Sequence, residues 1–264
     1  MIIDSHAHIA LSGSPRIATP DDLIKSMDEA GIDYSLLLAN QRKGTRISTN
    51  EAVEIAKKYP RIKAIGHVEF GAPIAPQIEN LKRYLNAGQI HGVKFYLGYE
   101  DYSATDKQLF PLYEFCQKEG KPIIFHTGAL LIGEHGMLKN SHPLNVDDVA
   151  YHFPNLKIVI AHMGNPWIID TAAILLKNPN VYTDLSGYFT EWVPIDPGEA
   201  ADFKNSVGQI KSYVGDYKKC IFGTDWPLYS QKEYIEAVKS LDMSEEEKEL
   251  VFWKNANDIF SLGL

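Results

Sequence analysis

The sequence is poor in the features that would make it a secreted scaffold, a membrane protein or a nucleic-acid binder. It has two cysteines, Cys116 and Cys220, too few for a disulfide framework. Both sit in apolar surroundings, which predicts buried thiols and a reducing compartment, the cytoplasm. No apolar run approaches the roughly 18 residues of a membrane span, and no cationic stretch leads into an apolar one at the start. Lys and Arg number 26 against 34 Asp and Glu, a formal net charge of -8. Nucleic acid, which selects clustered Lys and Arg, is therefore excluded as a partner, and no basic amphipathic segment points to a membrane surface. A Gly-rich first turn of the dinucleotide-binding kind is missing too, as is any low-complexity linker dividing the chain.

What remains is a 264-residue chain that is 45% hydrophobic, enough for one large core. Eight short apolar runs recur along it: IIDSHAHI (2–9), YSLLLA (34–39), IKAIGHV (62–68), GVKFYL (92–97), PIIFHTG (122–128), KIVIAHMG (157–164), VYTDLSG (181–187) and CIFGTDWP (220–227). Their starts are roughly 24 to 39 residues apart, the length of a strand–helix unit. Several lack alternation, as strands covered on both faces do.

The segments between them read as helices. Thr19 caps a helix with Pro20 at its first position, Asp21 and Asp22 in its first turn and Gly31 after its end. Thr49 is the expected cap of NEAVEIAKKY, closed by Pro60. IAPQIENLKRYLNAG and ATDKQLFPLYEFCQKEG end at Gly88 and Gly120, PWIIDTAAILLKN and ADFKNSVGQIKSYVGDY follow, and Ser244 with Glu247 is a capping-box pattern. Eight such units in one domain, residues 1–264, predict the α/β class and a single (β/α)8 TIM barrel. The competing doubly wound open sheet has fewer strands and needs the Gly-rich turn.

In a barrel, chemistry sits at the C-terminal strand ends. Those ends carry His6 and His8, His67, Lys94, His126, His162, Asp184 and Asp225. Residues i and i+2 of a strand share a face, so His6 and His8 reach one side together. Polar groups this close to apolar strands need partners, and one metal ion would partner several. The plain alternatives are hydrogen-bonded core histidines and, for Asp225, a turn cap before Trp226-Pro227.

HxH on strand one, His on strands five and six and Asp on strand eight resemble the amidohydrolase superfamily. DSHAHI, GVKFY, IIFHTG, IAHMG, VYTDLSG, IFGTDWP and NANDIFSL are similar to its amidohydrolase-related branch, which holds aminocarboxymuconate semialdehyde and resorcylate decarboxylases beside lactone hydrolases. The resemblance runs from Asp4 to Leu262. It implies that His6, His8, His126 and Asp225 hold one divalent ion, zinc first, with manganese, iron or cobalt as alternatives. Asp225 would also take a proton from the zinc-activated water, and His162 would act as acid, base or orienting group.

Lys94 resembles the strand-four lysine that, carboxylated, bridges two metals in binuclear members; unmodified, it could pair with a substrate carboxylate or snorkel to the rim. Ser186, with Asp184 and Tyr188, and Trp226 are candidate pocket residues, or else turn and packing residues. Arg42 and Arg46, after strand two, are candidates to grip a carboxylate. Glu134 and His135 lie in a long stretch after strand five, a rim or lid. His67 reads as structural or lining, and His91, His135, His142 and His152 as loop or surface.

The expected activity is hydrolysis of an ester, lactone or amide of a small, carboxylated substrate. The alternative is non-oxidative decarboxylation of a small unsaturated or aromatic acid at the same site. A non-catalytic binding barrel would require loss of ligands, and none of the four is missing. Partners beyond the small molecule reduce to a second copy of the chain, for which the apolar surface of ELVFWKNANDIF could serve.

Overall fold

In the computed structural model, residues 1–9, 18–40, 47–131 and 135–264 are described. Strand and helix alternate: β1 (Ile3–Ala7), α1 (Pro20–Ala30), β2 (Tyr34–Leu38), α2 (Thr49–Lys58), β3 (Ile62–His67), α3 (Ile74–Asn86), β4 (Val93–Phe95), α4 (Phe110–Lys118) and β5 (Ile123–Phe125). Two helices, α5 (Leu138–Ser141) and α6 (Leu144–His152), precede β6 (Ile158–Ile160), and α7 (Ile168–Lys177) leads to β7 (Val181–Asp184). Then come α8 (Pro197–Val214), β8 (Cys220–Ile221), α9 (Gln231–Lys239), α10 (Glu245–Glu249) and α11 (Asn255–Phe260). The strands pair in parallel in sequence order. Ser5 N–H donates to Phe222 O at 3.0 Å and Asp225 N–H to His6 O at 2.7 Å, so β8 returns to β1. The fold is a (β/α)8 barrel, as expected.

Period-two alternation sorts each strand into a face toward the barrel axis and a face toward the helices. Leu36 and Leu38, Ile65, Ile124, Val159 and Ile221 form the interior cluster, while Leu37, Ala64, Val93, Phe95, Ile123, Phe125, Ile158 and Ile160 pack outward. Continuing the same parity, His67, Lys94, His126 and Asp184 are carried to the inner face. β1 departs from this rule. Ile3 belongs to the interior cluster and Ala7 to the outer one, although they share a parity. The pairing of β1 with β2 is irregular between Asp4 and Ala7. Such an irregularity transfers later side chains to the other face, and it turns His6 and His8 inward.

Helix ends follow the capping chemistry with one correction. Thr19 and Ser244 cap α1 and α10 through full capping boxes. The cap of α2 is Ser48, not Thr49: Ser48 accepts from Glu51 N–H, whereas the Thr49 hydroxyl accepts the His67 N–H at 3.1 Å. Val251, Phe252, Ala256 and Ile259 of ELVFWKNANDIF are buried against this barrel. Cys116 and Cys220 are free and buried. Among the described residues no helix is long and apolar enough to cross a membrane.

Candidate active site

A cavity of about 40 Å³ is bordered by His6, His8, Asn40, Lys94, Tyr96, Tyr99, Leu131, His126, His162, Asp225 and Leu228. Its floor is fixed by the inner ring nitrogens. His6 Nδ1 lies 2.9 Å from Asp184 Oδ2, and His8 Nδ1 lies 3.3 Å from Leu38 O. Both partners are acceptors, so each Nδ1 carries the hydrogen and each Nε2 presents a lone pair. Those nitrogens meet Asp225: Oδ1 is 3.2 Å from His8 Nε2 and 3.7 Å from His6 Nε2. Lone pairs at such distances require a positive charge among them, a proton or a cation. Two ligands of one tetrahedral zinc, each about 2.0–2.1 Å from it, stand about 3.3 Å apart. The His6, His8, Asp225 set fits a divalent ion in donor type and in spacing.

Asp225 reaches this place through a left-handed backbone, φ +63°, a conformation Asp tolerates better than most residues. Its N–H is held by His6 O and its carbonyl accepts from Leu228 N–H at 3.1 Å. Burial raises the pKa of its carboxyl, but the close approach of His8 and the nearby His6 and His162 outweigh this and hold it well below the usual range. Burial lowers His6 to about 3, Lys94 adding to the effect and Asp184 opposing it. His126 and His162 are lowered by burial in the same way.

His126 lines the cavity but stands outside the compact three-residue groups. Its Nε2 lies 3.1 Å from the Ala129 carbonyl, so Nε2 carries hydrogen and Nδ1 is the nitrogen left to act as a ligand. His162 also borders the cavity, its ring centroid 4.8 Å from that of His6 and 5.0 Å from that of His126. Lys94 is fully buried, its Nζ 3.4 Å from His6 Nε2; burial pulls its pKa down to about 8 against the attraction of Asp184 and Asp225. It therefore sits in the floor and does not snorkel to the rim.

Ser186 and Trp226 are placed differently from pocket walls. Ser186 is buried under the rings of His6 and His162, its hydroxyl 2.6 Å from Asp184 Oδ1. Trp226 is buried outside the cavity lining, its carbonyl accepting the His8 N–H at 2.7 Å. Arg42, Arg46 and Glu134 lie outside the described residues. His67 is buried beside Tyr96, its Nδ1 3.1 Å from Lys94 O. His91 and His142 are half-buried; His135 and His152 are exposed.

The structure adds a group that the strand-end pattern missed. Asp4 is fully buried and accepts from His6 N–H (3.2 Å), Thr224 N–H (3.0 Å), Thr224 Oγ1–H (2.7 Å) and Gln231 Nε2–H (2.8 Å). Burial outweighs these donors and raises its pKa to about 6. It ties the strand of His6 and His8 to the turn of Asp225. Its signal was present: a carboxylate inside an apolar strand start needs partners. Asn40, Tyr96 and Tyr99 follow strands two and four directly, which is the only signal they carry.

Comparison with known proteins agrees with this architecture. None of the curated proteins matches the chain. Among solved structures it is similar to a probable 2-pyrone-4,6-dicarboxylic acid hydrolase from Acinetobacter baumannii (18% identity, 99% of each chain, TM-score 0.71). It is similar to 2,6-dihydroxybenzoate decarboxylase from Rhizobium (17%, 100% of this chain and 99% of that one, TM-score 0.74). A zinc-bound amidohydrolase from Burkholderia multivorans matches at 17% over 99% of each chain, TM-score 0.72. At these identities the likeness shows the fold. The sequence model of the amidohydrolase family matches residues 3–262. Spanning nearly the whole chain, that match shows that the protein belongs to the amidohydrolase family.

Proposed function

We propose that the protein is a metal-dependent hydrolase acting on an ester, lactone or amide of a small carboxylated substrate. The observation that carries this reading is the approach of His8 Nε2 to Asp225 Oδ1, 3.2 Å, with each histidine of the pair already anchored through Nδ1. His6, His8 and Asp225 would hold the ion, with His126 Nδ1 as the fourth donor. When bound, a zinc-type ion supplies Lewis acidity and makes water a competent nucleophile at neutral pH.

The chain's own groups supply the rest. Asp225 is ionised and accepts the proton released as water attacks. His162, neutral at the cavity edge, takes up a proton and passes it on to the leaving group. The Lys94 ammonium offers a charge for a substrate carboxylate, with Arg42 and Arg46, which follow β2 in the sequence, as further candidates. The two buried thiols fit a cytoplasmic setting.

A second reading uses the same residues: non-oxidative decarboxylation, with Asp225 and His162 moving the proton that replaces carbon dioxide. It is supported by the decarboxylase among the similar structures. Elemental analysis of the protein and of His8→Ala tests the common premise: about one ion per chain, lost in the variant, supports it, and a chain that stays empty when offered metal refutes it. About two per chain would bring in a carboxylated Lys94 and His162 as ligands. Carboxylic acid panels then separate the readings, hydrolysis giving acid without carbon dioxide.

A further inference from the structure

Under the cavity floor lies a hydrogen-bonded chain that neither reading has used. Asp184 receives four donors. Its Oδ2 is 2.9 Å from His6 Nδ1, and its Oδ1 accepts His162 N–H at 2.8 Å, Ser186 N–H at 3.1 Å and Ser186 Oγ–H at 2.6 Å. A carboxylate surrounded in this way has no place for a proton of its own, so it acts as acceptor throughout. The single Ser186 hydroxyl hydrogen is therefore committed to Asp184. Ser186 Oγ also stands 2.9 Å from His162 Nδ1. With its hydrogen spent, Oγ can only accept there, and His162 must carry hydrogen on Nδ1.

A second observation comes from the backbone. His162 and Met163 are both left-handed, φ +61° and +53°, a strained conformation that persists only where the surroundings fix it. This turn swings His162 off the parity of β6 and over Ser186. Directly beneath, Gly187 has φ +65°, and a Cβ added to it would fall on His162 Nδ1, with Cγ and Cε1 2.9 Å away. The imidazole thus rests flush on the backbone of Gly187, with its Nδ1 edge turned down toward Ser186.

We propose that Ser186, seated on Asp184 and followed by Gly187, is a positioning residue that locks His162 in the Nδ1–H tautomer and leaves Nε2 as its proton-accepting atom. The inference rests on the reading that His162 works at this site. It adds a direction to the acid–base step: the first proton His162 takes arrives on Nε2, and the resulting cation is stabilised through Ser186 by the Asp184 charge. Asp184 holds His6 and His162 by one carboxylate, so the metal-side ring and the proton-side ring share an anchor.

The test reads the tautomer directly. Long-range ¹H–¹⁵N NMR on ¹⁵N-histidine-labelled protein from zinc-supplemented cells distinguishes protonated from bare ring nitrogens, with His162→Gln assigning the resonance. The expected result is a neutral His162 with hydrogen on Nδ1. Hydrogen on Nε2 in the parent protein overturns the proposal, with no variant required to fold. In Ser186→Ala the Nε2–H form should gain population and kcat should fall roughly 10–100-fold with KM little changed, the usual scale for an orienting partner. A variant with the parent's tautomer and unaltered kcat also overturns it. Metal content, measured on the same samples, reports separately on the hydrolase or decarboxylase reading.

Discussion

Replacing Gly187 by alanine puts one methyl group where the structure has an imidazole. Two costs can be separated. The left-handed backbone, φ +65°, costs an L-residue about 1–2 kcal/mol, offset by about 0.4–1 kcal/mol because alanine narrows the unfolded ensemble. The methyl must also displace the His162 ring, with Cγ and Cε1 2.9 Å from it. Overpacking of this kind costs about 1–3 kcal/mol, and breaking the buried Ser186–His162 hydrogen bond about 1 more. Gly31 provides the control: it is left-handed too, φ +74°, with nothing within 4 Å of an added Cβ. Gly31→Ala should therefore cost about 1 kcal/mol or less, and Gly187→Ala about 2–4 kcal/mol beyond it. At roughly 2–4 °C per kcal/mol for a chain of this size, the two variants should melt about 5–15 °C apart by circular dichroism. A ring shifted by about 1 Å should also lower turnover by about 10²-fold, while Gly31→Ala keeps parental activity. Equal melting temperatures for the two variants would refute the argument that His162 rests on this glycine.

Asp225→Asn keeps a residue type that tolerates φ +63° but removes the proton acceptor and a negative ligand. Turnover should fall about 10²–10⁴-fold in a protein whose circular dichroism spectrum is unchanged. The acid stability of chelator-treated protein should also depend on His6. His6 is lowered from 6.5 to about 3 in the fold, so below pH 6.5 the unfolded chain binds a proton that the folded chain refuses. Stability is full above pH 6.5 and falls as pH drops toward 3, by about 1.4 kcal/mol per pH unit from His6 alone. Asp4, raised to about 6, offsets part of this loss, so the His6 contribution is read as a difference: between pH 7 and pH 5 in urea titrations, His6→Gln should lose about 2 kcal/mol less than the parent, and equal losses would contradict the buried neutral histidine.

The barrel was legible because its strands carry a physical signature, short apolar runs at regular intervals, and because Gly31 and Pro60 punctuate them. The polar strand ends were equally visible, since His6, His126 or Asp225 beside apolar strands demands a partner. What the sequence hid depends on long-range geometry. The inward turn of His6 and His8 needs the irregular pairing of β1, which a count of alternation from Ile3 would contradict. α6 and α9 were passed over: α6 follows a stretch of Gly, His and Pro, and α9 follows the turn after Asp225. Ser186 read equally as a pocket residue or a turn residue, because His162 meets it across strands, and only the fold reveals that its hydroxyl is already spent on Asp184. Thr49 lost its cap role for the same reason, to a backbone N–H 18 residues away.

The meeting of β1 and β8 has a consequence for how the protein comes into being. His6 and His8 leave the ribosome more than two hundred residues before Asp225. Until that last strand arrives, the opening strand has no mate for Ser5 or His6, and the cluster has no carboxylate. The site is therefore completed all at once, when the turn of Asp225 closes on β1, and a chain stopped before it would carry most of the barrel without a working site. A ligand that grips His6, His8 and Asp225 together also fastens the seam of the barrel, stabilising the folded state in proportion to its occupancy. Starvation for that ligand would first loosen the joint between β1 and β8.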